Sequence, residues 1–377
     1  MPFCKLKFEV KSLIMPYSGL YPIALATSDF NNDGKLDVVF FSQANNSLFM
    51  LPGNGNGTFR ALIRSRLSYT SISLERISVG DFNLDNKLDI AFTDSYATSM
   101  SVLFGSGNGT FGNLRRFSTG SASYPQGIAI GYINHDNYSD IVIADRMYDK
   151  LTIYLGNRNG NFSAQQVLST GKETAPYSIS VIDVNDDNHS DIIVINYYDR
   201  NIGIFLGYGN GTFDEQKTFF TGGGIYPCYM TLGDLNNDSK QDIVFSTTGK
   251  TIGIMYGYGN GSFHEKIKYK AESIETISPV IIKDFNNDGH LDIIYGQIGP
   301  YGVGLLVGDG NENFHVQTIF STTFQGEVTE IIVGDFNTDG YQDIIAADSA
   351  SGSMNLLLNA GVCNTTQNSI ETSTSIH

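Results

Sequence analysis

One nine-residue segment recurs seven times along this chain, at intervals of 50 to 52 residues. The first copy, from Asp29 to Asp37, reads Asp-Phe-Asn-Asn-Asp-Gly-Lys-Leu-Asp, and the later copies begin at Asp81, Tyr132, Asp183, Asp234, Asp284 and Asp335. Self-similarity at a fixed period near 50 residues indicates a repeat architecture in which each repeat is one supersecondary unit. The sequence therefore predicts seven similar units packed side by side.

A second signal alternates with the first and sets the number of strands in each unit. Gly-Asn-Gly-Thr-Phe and its variants end at Phe59, Phe111, Phe162, Phe213, Phe263 and Phe314. Short runs rich in Val, Ile, Phe and Tyr lie between the two signals, and none has a sustained helical period. One strand precedes the nine-residue loop, one follows it, a third leads into the glycine-rich turn, and a fourth begins at the Phe. Four antiparallel strands per repeat favour an all-β, seven-bladed β-propeller over a sandwich, whose strands would not repeat in fours.

The two ends of the chain carry complementary halves of one blade. Phe8 precedes Pro22 by 14 residues, the spacing that separates later fourth strands from the next proline, whereas residues 355–358 form a third strand with no fourth after it. We expect the segment from Phe8 to Met15 to complete blade seven in a 3+1 arrangement, which removes the open sheet edges. Residues 1–363 are the predicted propeller, and residues 364–377, rich in Ser and Thr, are a predicted disordered tail or linker.

The terminal cysteines fall at the place where blade seven lacks a covalent turn. Aligned on the repeat, Cys4 corresponds to Gly107 and Cys363 to Gly109, both in a hairpin tip. A disulfide there would replace the turn, contribute on the order of 4–5 kcal/mol in the loop-entropy model, and indicate an oxidising compartment. The alternative is two unrelated terminal thiols. Cys228, in an inner strand, is predicted to be a buried free thiol.

The recurring loop places oxygen side chains at positions 1, 3, 5 and 9, and a backbone carbonyl at position 7 adds another donor. Calcium takes six to eight hard oxygen ligands, and three carboxylates in nine residues repel one another without a cation. The alternative is a metal-free turn held by its own side chains. We expect about six calcium ions, one in each intact loop. The predicted ligands are Asp29, Asn31, Asp33, Lys35 and Asp37; Asp81, Asn83, Asp85, Lys87 and Asp89; Asp183, Asn185, Asp187, His189 and Asp191; Asp234, Asn236, Asp238, Lys240 and Asp242; Asp284, Asn286, Asp288, His290 and Asp292; and Asp335, Asn337, Asp339, Tyr341 and Asp343.

The third loop departs from this pattern. Tyr132 replaces the Asp at position 1, and only Asn134, Asp136 and Asp140 remain, so we expect weak calcium binding or none there. Across the seven loops, positions 1, 5 and 9 hold 20 of the 39 acidic residues, so most of the net charge of −16 is local. A chain this acidic is a poor candidate for binding nucleic acid, which favours a basic surface.

These repeats resemble the FG-GAP repeats of the integrin α-subunit head and the related VCBS-type repeats of secreted propellers. The resemblance covers roughly residues 5 to 362; a literal Phe-Gly stands at Phe104-Gly105, but no copy has the full Phe-Gly-x-x-x-Gly-Ala-Pro. It implies an extracellular, calcium-binding domain that mediates adhesion or ligand recognition. No signal peptide is visible, and no apolar run reaches 18 residues, so we expect no membrane insertion.

Successive antiparallel strands place their loops on opposite faces, so the Asp loops and glycine-rich turns share one face. The other face carries the blade connections and the turns between second and third strands. Exposed Tyr and Arg are common at recognition surfaces, and on this face they predict a partner site. Its candidate residues are Tyr21, Tyr124, Tyr226, Arg146, Tyr148, Tyr197, Tyr198 and Arg200. The alternative is that the Tyr-Pro pairs only shape the entry to the inner strand.

Catalytic signatures are absent from the sequence. Only six His occur, and no zinc spacing, nucleophile elbow or phosphate loop accompanies them. We therefore predict a monomeric binding module for a protein or glycan ligand and not an enzyme, with a propeller lectin as the alternative and a propeller hydrolase or lyase as a third hypothesis. A lectin predicts several equivalent sugar sites, whereas a protein-binding module predicts one asymmetric patch. Sequons for N-glycosylation occur at Asn56, Asn108, Asn210, Asn260 and Asn364.

Overall fold

The computed structural model describes residues 6–13, 20–67, 74–222, 226–249, 251–264, 267–270, 277–297, 302–321, 328–348 and 352–361. These residues form seven sheets of four antiparallel strands each, which confirms the predicted seven-bladed β-propeller. One short 3-10 helix, Gln43–Asn45, is the sole helical element of these ranges. Within them, no helix has the length and apolar character needed to cross a membrane.

Each blade is a meander of consecutive strands, except the seventh. Blade 1 contains β2 (Pro22–Ser28), β3 (Asp37–Ser42), β4 (Ser47–Leu51) and β5 (Ile63–Arg66); blade 2 contains β6 (Leu74–Gly80), β7 (Asp89–Asp94), β8 (Ser99–Gly105) and β9 (Phe111–Ser118); blade 3 contains β10 (Pro125–Gly131), β11 (Asp140–Asp145), β12 (Lys150–Gly156) and β13 (Phe162–Ser169). Blade 4 contains β14 (Pro176–Ile182), β15 (Asp191–Asn196), β16 (Asn201–Phe205) and β17 (Lys217–Phe220); blade 5 contains β18 (Pro227–Gly233), β19 (Asp242–Thr247), β20 (Thr251–Met255) and β21 (Ile267–Lys270); blade 6 contains β22 (Ile277–Lys283), β23 (Asp292–Gln297), β24 (Gly302–Gly308) and β25 (Phe314–Ser321). Blade 7 contains β26 (Glu330–Gly334), β27 (Asp343–Asp348), β28 (Ser353–Asn359) and β1 (Phe8–Leu13).

The N-terminal strand closes the ring. Strand β1 pairs antiparallel with β28, with Phe8 opposite Asn359 and Leu13 opposite Met354. The first strand of each blade is the inner strand, and neighbouring inner strands contact one another around the ring, including β26 with β2. The predicted 3+1 closure is therefore confirmed. Cys4 and Cys363, together with the tail 364–377, lie outside the described residues.

The hydrophobic core is divided into seven clusters, one between each pair of neighbouring blades. Strand β15 shows the reason, because its side chains alternate between two blade interfaces. Ile192 and Val194 pack in the cluster with blade 3, whereas Ile193 and Ile195 pack in the cluster with blade 5. A blade of this kind buries its apolar residues only when both neighbours are present, so stability is shared around the ring.

The fourth strands differ from the sequence prediction in three blades. In blades 2, 3 and 6 the strand begins at the Phe of the glycine-rich turn, as predicted. In blades 1, 4 and 5 the Phe makes only an isolated bridge to a glycine, and the strand begins later, at Ile63, Lys217 and Ile267. The prediction was wrong there because the ladder is interrupted at the place where blades 2, 3 and 6 instead carry a shift in strand register.

Candidate functional site

The six intact Asp loops share one hydrogen-bonding pattern around the carboxylate at position 1. Its Oδ1 accepts the N–H of position 5 at 3.0–3.3 Å, and its Oδ2 accepts the N–H of position 6 at 2.8–2.9 Å. In all seven loops, the carboxylate at position 5 accepts the N–H of position 7 at 2.8–3.1 Å. These bonds wrap the backbone around the side chains, so the carboxylates of each loop lie close together.

The carboxylate at position 9 has a structural role that the sequence did not reveal. In every loop it is fully buried; its Oδ2 accepts the N–H of position 2, and its Oδ1 accepts an N–H from the end of the third strand or from two residues beyond it. In blade 4, for example, Asp191 accepts from Val184 at 2.9 Å and from Gly207 at 2.7 Å. Position 9 therefore ties the Asp loop to the end of the third strand of its own blade, and the loop without an Asp at position 1 keeps this tie.

Two residues of each loop have the left-handed backbone conformation. Position 6 has φ between 59° and 89° in all seven copies. At position 4, φ lies between 57° and 61°, even at Leu84 and the β-branched Thr338. Such conformations are unfavourable for residues other than Gly, Asn and Asp. At Leu84 and Thr338, the hydrogen bonds of the loop therefore hold the backbone in a conformation that the side chain disfavours.

Burial raises the pKa of the position-9 carboxylates. The pKa rises to about 6 for Asp89, Asp140, Asp191, Asp242 and Asp343 and to about 7 for Asp292, because burial favours the neutral acid more strongly than the two backbone N–H groups favour the charged form. In the intact loops, the carboxylates at positions 5 and 1 add to this rise. The three carboxylates of each intact loop therefore carry more negative charge than the positive groups near them neutralise.

The donor set of the loops fits a hard cation such as calcium. The Oδ1 of Asn31, at position 3 of the first loop, is buried and has no hydrogen-bond partner, as expected of an oxygen that faces a ligand site. Among the described residues, no three His, Cys, Asp or Glu side chains are arranged to hold a metal by themselves. A cation here would therefore also need the Asn amide and backbone carbonyl oxygens, which calcium accepts readily.

The third loop lacks the first of these donors. Tyr132 is 57% exposed and provides no carboxylate for the N–H groups of positions 5 and 6. Asn134 donates to Asp136 at 2.7 Å, a bond that four of the intact loops also make between positions 3 and 5. His135 of this loop lies 3.0 Å from His189 of the next loop, ring nitrogen to ring nitrogen. The Asp loops thus contact their neighbours along one face, which we call the Asp-loop face.

The glycine-rich turns lie on the same face and link adjacent blades. The N–H of Gly109 in blade 2 donates to the carbonyl of Phe30 in the loop of blade 1, and Gly57 and Gly261 make equivalent bonds to their preceding blades. The Asn of the turn accepts the N–H and the hydroxyl of the residue two positions on, as at Asn56 with Thr58 and Asn108 with Thr110. The sequon asparagines Asn56, Asn108, Asn210 and Asn260 therefore shape their hairpins. Asn364 lies outside the described residues.

On the opposite face, which we call the connection face, most of the predicted partner residues converge. Tyr197 and Tyr226 stack with ring centroids 4.9 Å apart, Tyr198 lies against both, and the guanidinium of Arg200 lies 4.7 Å from the Tyr226 ring. The guanidinium of Arg146, from blade 3, lies 5.6–5.9 Å from the rings of Tyr177, Tyr197 and Tyr198. We call these six residues the tyrosine–arginine cluster: Arg146, Tyr177, Tyr197, Tyr198, Arg200 and Tyr226.

Three further side chains join this cluster to the central channel, and sequence analysis missed them. Arg76 of blade 2 pairs with Glu330 of blade 7 at 2.9 Å, and its guanidinium lies 4.4 Å from the ring of Tyr229 in blade 5. All three stand four residues before the last residue of their inner strand. The same position holds only small residues or proline in the other blades: Ala24, Gly127, Ser178 and Pro279. This difference between repeats was a usable signal.

The remaining predicted partner residues lie apart from the cluster or serve the backbone. Tyr148, 50% exposed, donates its hydroxyl to the Ser121 carbonyl, and its ring faces Lys150. The N–H of Tyr124 donates to Asp145. Tyr21 is 44% exposed, in blade 1, with a φ of 45°. Cys228 is a free thiol, but it is only partly buried, where a buried thiol was predicted. Burial still raises its pKa to about 11, so it is protonated at neutral pH.

Fold and loops together define a class: a β-propeller whose blades each carry an Asp-rich loop between the first and second strands. A sequence profile of the FG-GAP-like repeat matches this chain in six overlapping segments: 29–92, 81–143, 133–194, 183–245, 234–295 and 284–346. The chain therefore belongs to the FG-GAP-like repeat family, whose propellers are generally binding modules. No curated protein sequence matches it significantly.

Several solved structures share the fold at low sequence identity. A catalytically inactive virginiamycin B lyase from Staphylococcus aureus, with quinupristin, has a TM-score of 0.65 at 14% identity, covering 93% of this chain and 99% of the lyase. BBS1N in complex with ARL6DN has a TM-score of 0.62 at 12% identity, covering 95% and 98%. An Agrocybe aegerita lectin that recognises non-reducing terminal N-acetylglucosamine has a TM-score of 0.59 at 17% identity, covering 91% and 86%. These likenesses establish the fold alone.

Proposed function

We propose that this chain is an extracellular, calcium-binding propeller that binds a protein partner through the tyrosine–arginine cluster of its connection face. The observation that carries the proposal is the asymmetry of that face. Arg146 comes from blade 3, Tyr177, Tyr197, Tyr198 and Arg200 from blade 4, and Tyr226 from the start of blade 5. The corresponding turn in blade 1 is the short helix Gln43–Asn45, and in blade 5 it is Thr247-Thr-Gly-Lys-Thr251.

A single asymmetric patch is the arrangement expected of a protein-binding module. Tyr and Arg are enriched among the residues that dominate binding energy at protein interfaces, where they combine a large contact area with polar groups. The Tyr198 side chain is 54% exposed, and Arg146 and Tyr226 are half-buried, so the patch is both accessible and held in place by its own packing. Structural neighbours of this fold include one bound to a protein, ARL6DN, and one that recognises a sugar.

Calcium enters the proposal through the Asp loops. Positions 1, 3 and 5 would hold the ion with the carbonyl of position 7, and position 9 would add its remaining lone pairs to the two backbone bonds that it already accepts. When bound, the cation would neutralise the crowded carboxylates. The six-fold occurrence of the intact loop favours a role in stabilising six of the seven blades, and it agrees with an extracellular site, where calcium is plentiful.

A lectin or a lyase would need a different arrangement of the described residues. A lectin of this symmetry would use equivalent clefts around the ring, whereas the exposed tyrosines of the connection face, among the described residues, lie in blades 1 to 4, at Tyr21, Tyr96, Tyr148 and Tyr198. The channel residues Arg76, Glu330 and Tyr229 are occupied by one another. Neither observation favours catalysis or repeated sugar sites.

The test compares two kinds of ligand on the whole chain in calcium. A random-peptide display library and a glycan array are applied to the wild-type protein and to the Tyr198→Ala variant. We expect selected peptides whose affinity falls about tenfold in Tyr198→Ala, the loss typical of an aromatic residue at the centre of an interface. Multivalent glycan binding that Tyr198→Ala leaves unchanged, with no selected peptide, would contradict the proposal and support the lectin.

A further inference from the structure

We infer that the tyrosine–arginine cluster recognises a carboxylate of its partner, so that the ligand is an acidic protein segment with Arg146 as its ion-pairing residue. This inference rests on the proposed function and specifies the chemistry of the same surface. It follows from three features of the cluster: an arginine without a carboxylate, a second arginine that forms no ion pair, and tyrosine rings that limit the access of water to an ion pair formed there.

Arg146 has no carboxylate opposite it in the part of the chain that the structure describes. The acidic side chains of its own turn are committed elsewhere. Asp145 accepts from the hydroxyl of Ser123 at 2.7 Å and from two backbone N–H groups at 3.1 Å, and it lies 3.8 Å from Lys150 Nζ. Asp149 accepts the N–H groups of residues 173 and 175 at 2.6 and 2.9 Å and the hydroxyl of residue 174 at 3.2 Å. The guanidinium of Arg146 therefore faces only tyrosine rings.

The cluster carries positive charge on an acidic protein. Arg200 donates to the hydroxyl of Tyr226 at 3.0 Å, and its buried Nε has no hydrogen-bond partner. Arg76, below the cluster in the channel, is neutralised by Glu330 at 2.9 Å. The two turns also carry Asp145, which is paired with Lys150, and Asp149 and Asp199, so their charges balance in number. Among the described residues, however, no carboxylate forms an ion pair with Arg146 or Arg200, and guanidinium groups without such a partner attract an acidic group and repel a basic one.

The surrounding tyrosines make this arginine suited to a carboxylate. A guanidinium presents its donors as a planar fork that matches the two oxygens of a carboxylate. The rings of Tyr177, Tyr197 and Tyr198 surround Arg146 at 5.6–5.9 Å and lower its access to water, which strengthens an ion pair made there. Their flat faces also offer contact area to the apolar residues that flank an acidic side chain in a peptide.

The experiment uses the full chain in calcium and a selected peptide as the probe. A random-peptide display library is selected on the wild-type protein, and the best peptide is synthesised with its acidic residues and again with each Asp or Glu replaced by its amide. Both peptides are titrated against wild type, Arg146→Gln and Arg158→Gln. Arg158 is exposed in the glycine-rich turn of the same blade but on the Asp-loop face, so its substitution makes the same charge change far from the cluster.

We expect selected peptides enriched in Asp and Glu. The Kd of the acidic peptide should rise about tenfold or more in Arg146→Gln and stay unchanged in Arg158→Gln, since the loss of a charge-assisted pair is local. The amide peptide should bind wild type and Arg146→Gln with the same weak affinity. Melting temperatures of the three proteins, measured alongside, show that each is folded.

Other outcomes distinguish a failure of the acidic-ligand inference from a failure of the proposed protein-binding function. Selected peptides without acidic residues, or equal Kd values in wild type and Arg146→Gln, would overturn the acidic ligand, while a loss of their binding in Tyr198→Ala would still support a protein-binding surface. Binding to sialylated or sulfated glycans on an array, with no peptide selected, would overturn both. A selection that yields no peptide and an array that yields no glycan would likewise count against the cluster as a binding site.

Discussion

The two faces of this propeller follow different rules. On the Asp-loop face, the same hydrogen bonds recur in all seven blades at positions 5 and 9, and in six blades at position 1. On the connection face, the residues that converge differ from blade to blade, and the cluster draws on three consecutive blades only. The residues that repeat from blade to blade therefore build the ring, whereas the residues that depart from the repeat form the proposed recognition surface.

The largest effect should follow a change to the repeated hairpin. A Cβ added to Gly207 would lie 2.2 Å from the carbonyl oxygen of Ser190, so Gly207→Ala must displace backbone. We expect a loss of about 3 kcal/mol or more in the free energy of unfolding, as for other steric overpacking in a core. Gly112→Ala is the control, since a Cβ there meets nothing within 4 Å. Denaturant unfolding of both variants measures the difference, and equal stabilities would refute the close-approach explanation.

The second prediction separates the two roles of the loop carboxylates. Asp191→Ala leaves the buried N–H groups of Val184 and Gly207 without an acceptor, which should cost about 2–4 kcal/mol even in chelator. Asp183→Ala should cost less than about 1 kcal/mol in chelator, because water replaces its exposed hydrogen bonds. Urea unfolding in EGTA compares the two. A larger loss for Asp183→Ala would mean that position 9 is not the anchor of the blade.

The third prediction repairs the one loop that departs from the repeat. Tyr132→Asp supplies the missing carboxylate at position 1 of the third loop, where the N–H groups of positions 5 and 6 lack this acceptor. We expect one additional calcium ion per chain and a stabilisation of about 1–3 kcal/mol in excess calcium. In EGTA the gain should vanish or change sign. Isothermal titration calorimetry counts the ions, and an unchanged count would show that position 1 does not decide calcium binding.

The fourth prediction concerns pH. Burial raises the folded-state pKa of all seven position-9 carboxylates above 3.8, to about 6 for five of them and to about 7 for Asp292. A raised pKa means that the folded chain binds protons more tightly than the unfolded chain, so the associated stability is fully present below pH 4 and is lost as the pH rises through 6 to 7. In EGTA, the melting temperature should therefore fall between pH 5 and pH 7.5. In saturating calcium the trend should weaken or reverse, because protons compete with the ion.

The smallest stability effect should come from the connection face. Tyr198 is 54% exposed, and its ring packs against the rings of Tyr197 and Tyr226 in the same cluster. Tyr198→Ala should therefore change the free energy of unfolding by less than about 1 kcal/mol. A melting curve beside wild type is sufficient. A loss as large as that of Asp191→Ala would mean that the cluster is part of the scaffold, and the contrast between the faces would fail.

The repeat explains how much the sequence could predict. Seven equally spaced copies determine the blade count, and the half-blades at Phe8 and at residues 355–358 determine the closure, because both are matters of order along the chain. The bonds from the backbone to Asp191 and its equivalents were not predicted, since carboxylates at calcium-loop spacing were interpreted as metal ligands or as partners within their own turn. Their partners at the end of the third strand lie 15 or 16 residues away in the sequence.

The connection face was harder to predict, because its contacts join residues that are distant in sequence. Arg76 and Glu330 are 254 residues apart and meet only because the ring closes. Tyr177 was not among the predicted residues, although its neighbour Pro176 aligns with the proline after Tyr124 and Tyr226. The turn residues Tyr197, Tyr198 and Arg200 were found, since the composition of their turn departs from that of the other turns. Comparing the repeats position by position, and not only by motif, would have found Arg76 and Tyr229 as well.

The most direct test of this division between the faces is to count the calcium ions bound to the chain while its melting temperature is followed with and without chelator. Five to seven ions, and a melting temperature more than about 10 °C higher in calcium than in EGTA, are the predicted result, since several ions each add stability by mass action. Absence of binding at millimolar calcium would show that the Asp loops are turns held by their own hydrogen bonds, and the repeated face would then have no metal to explain its recurring carboxylates.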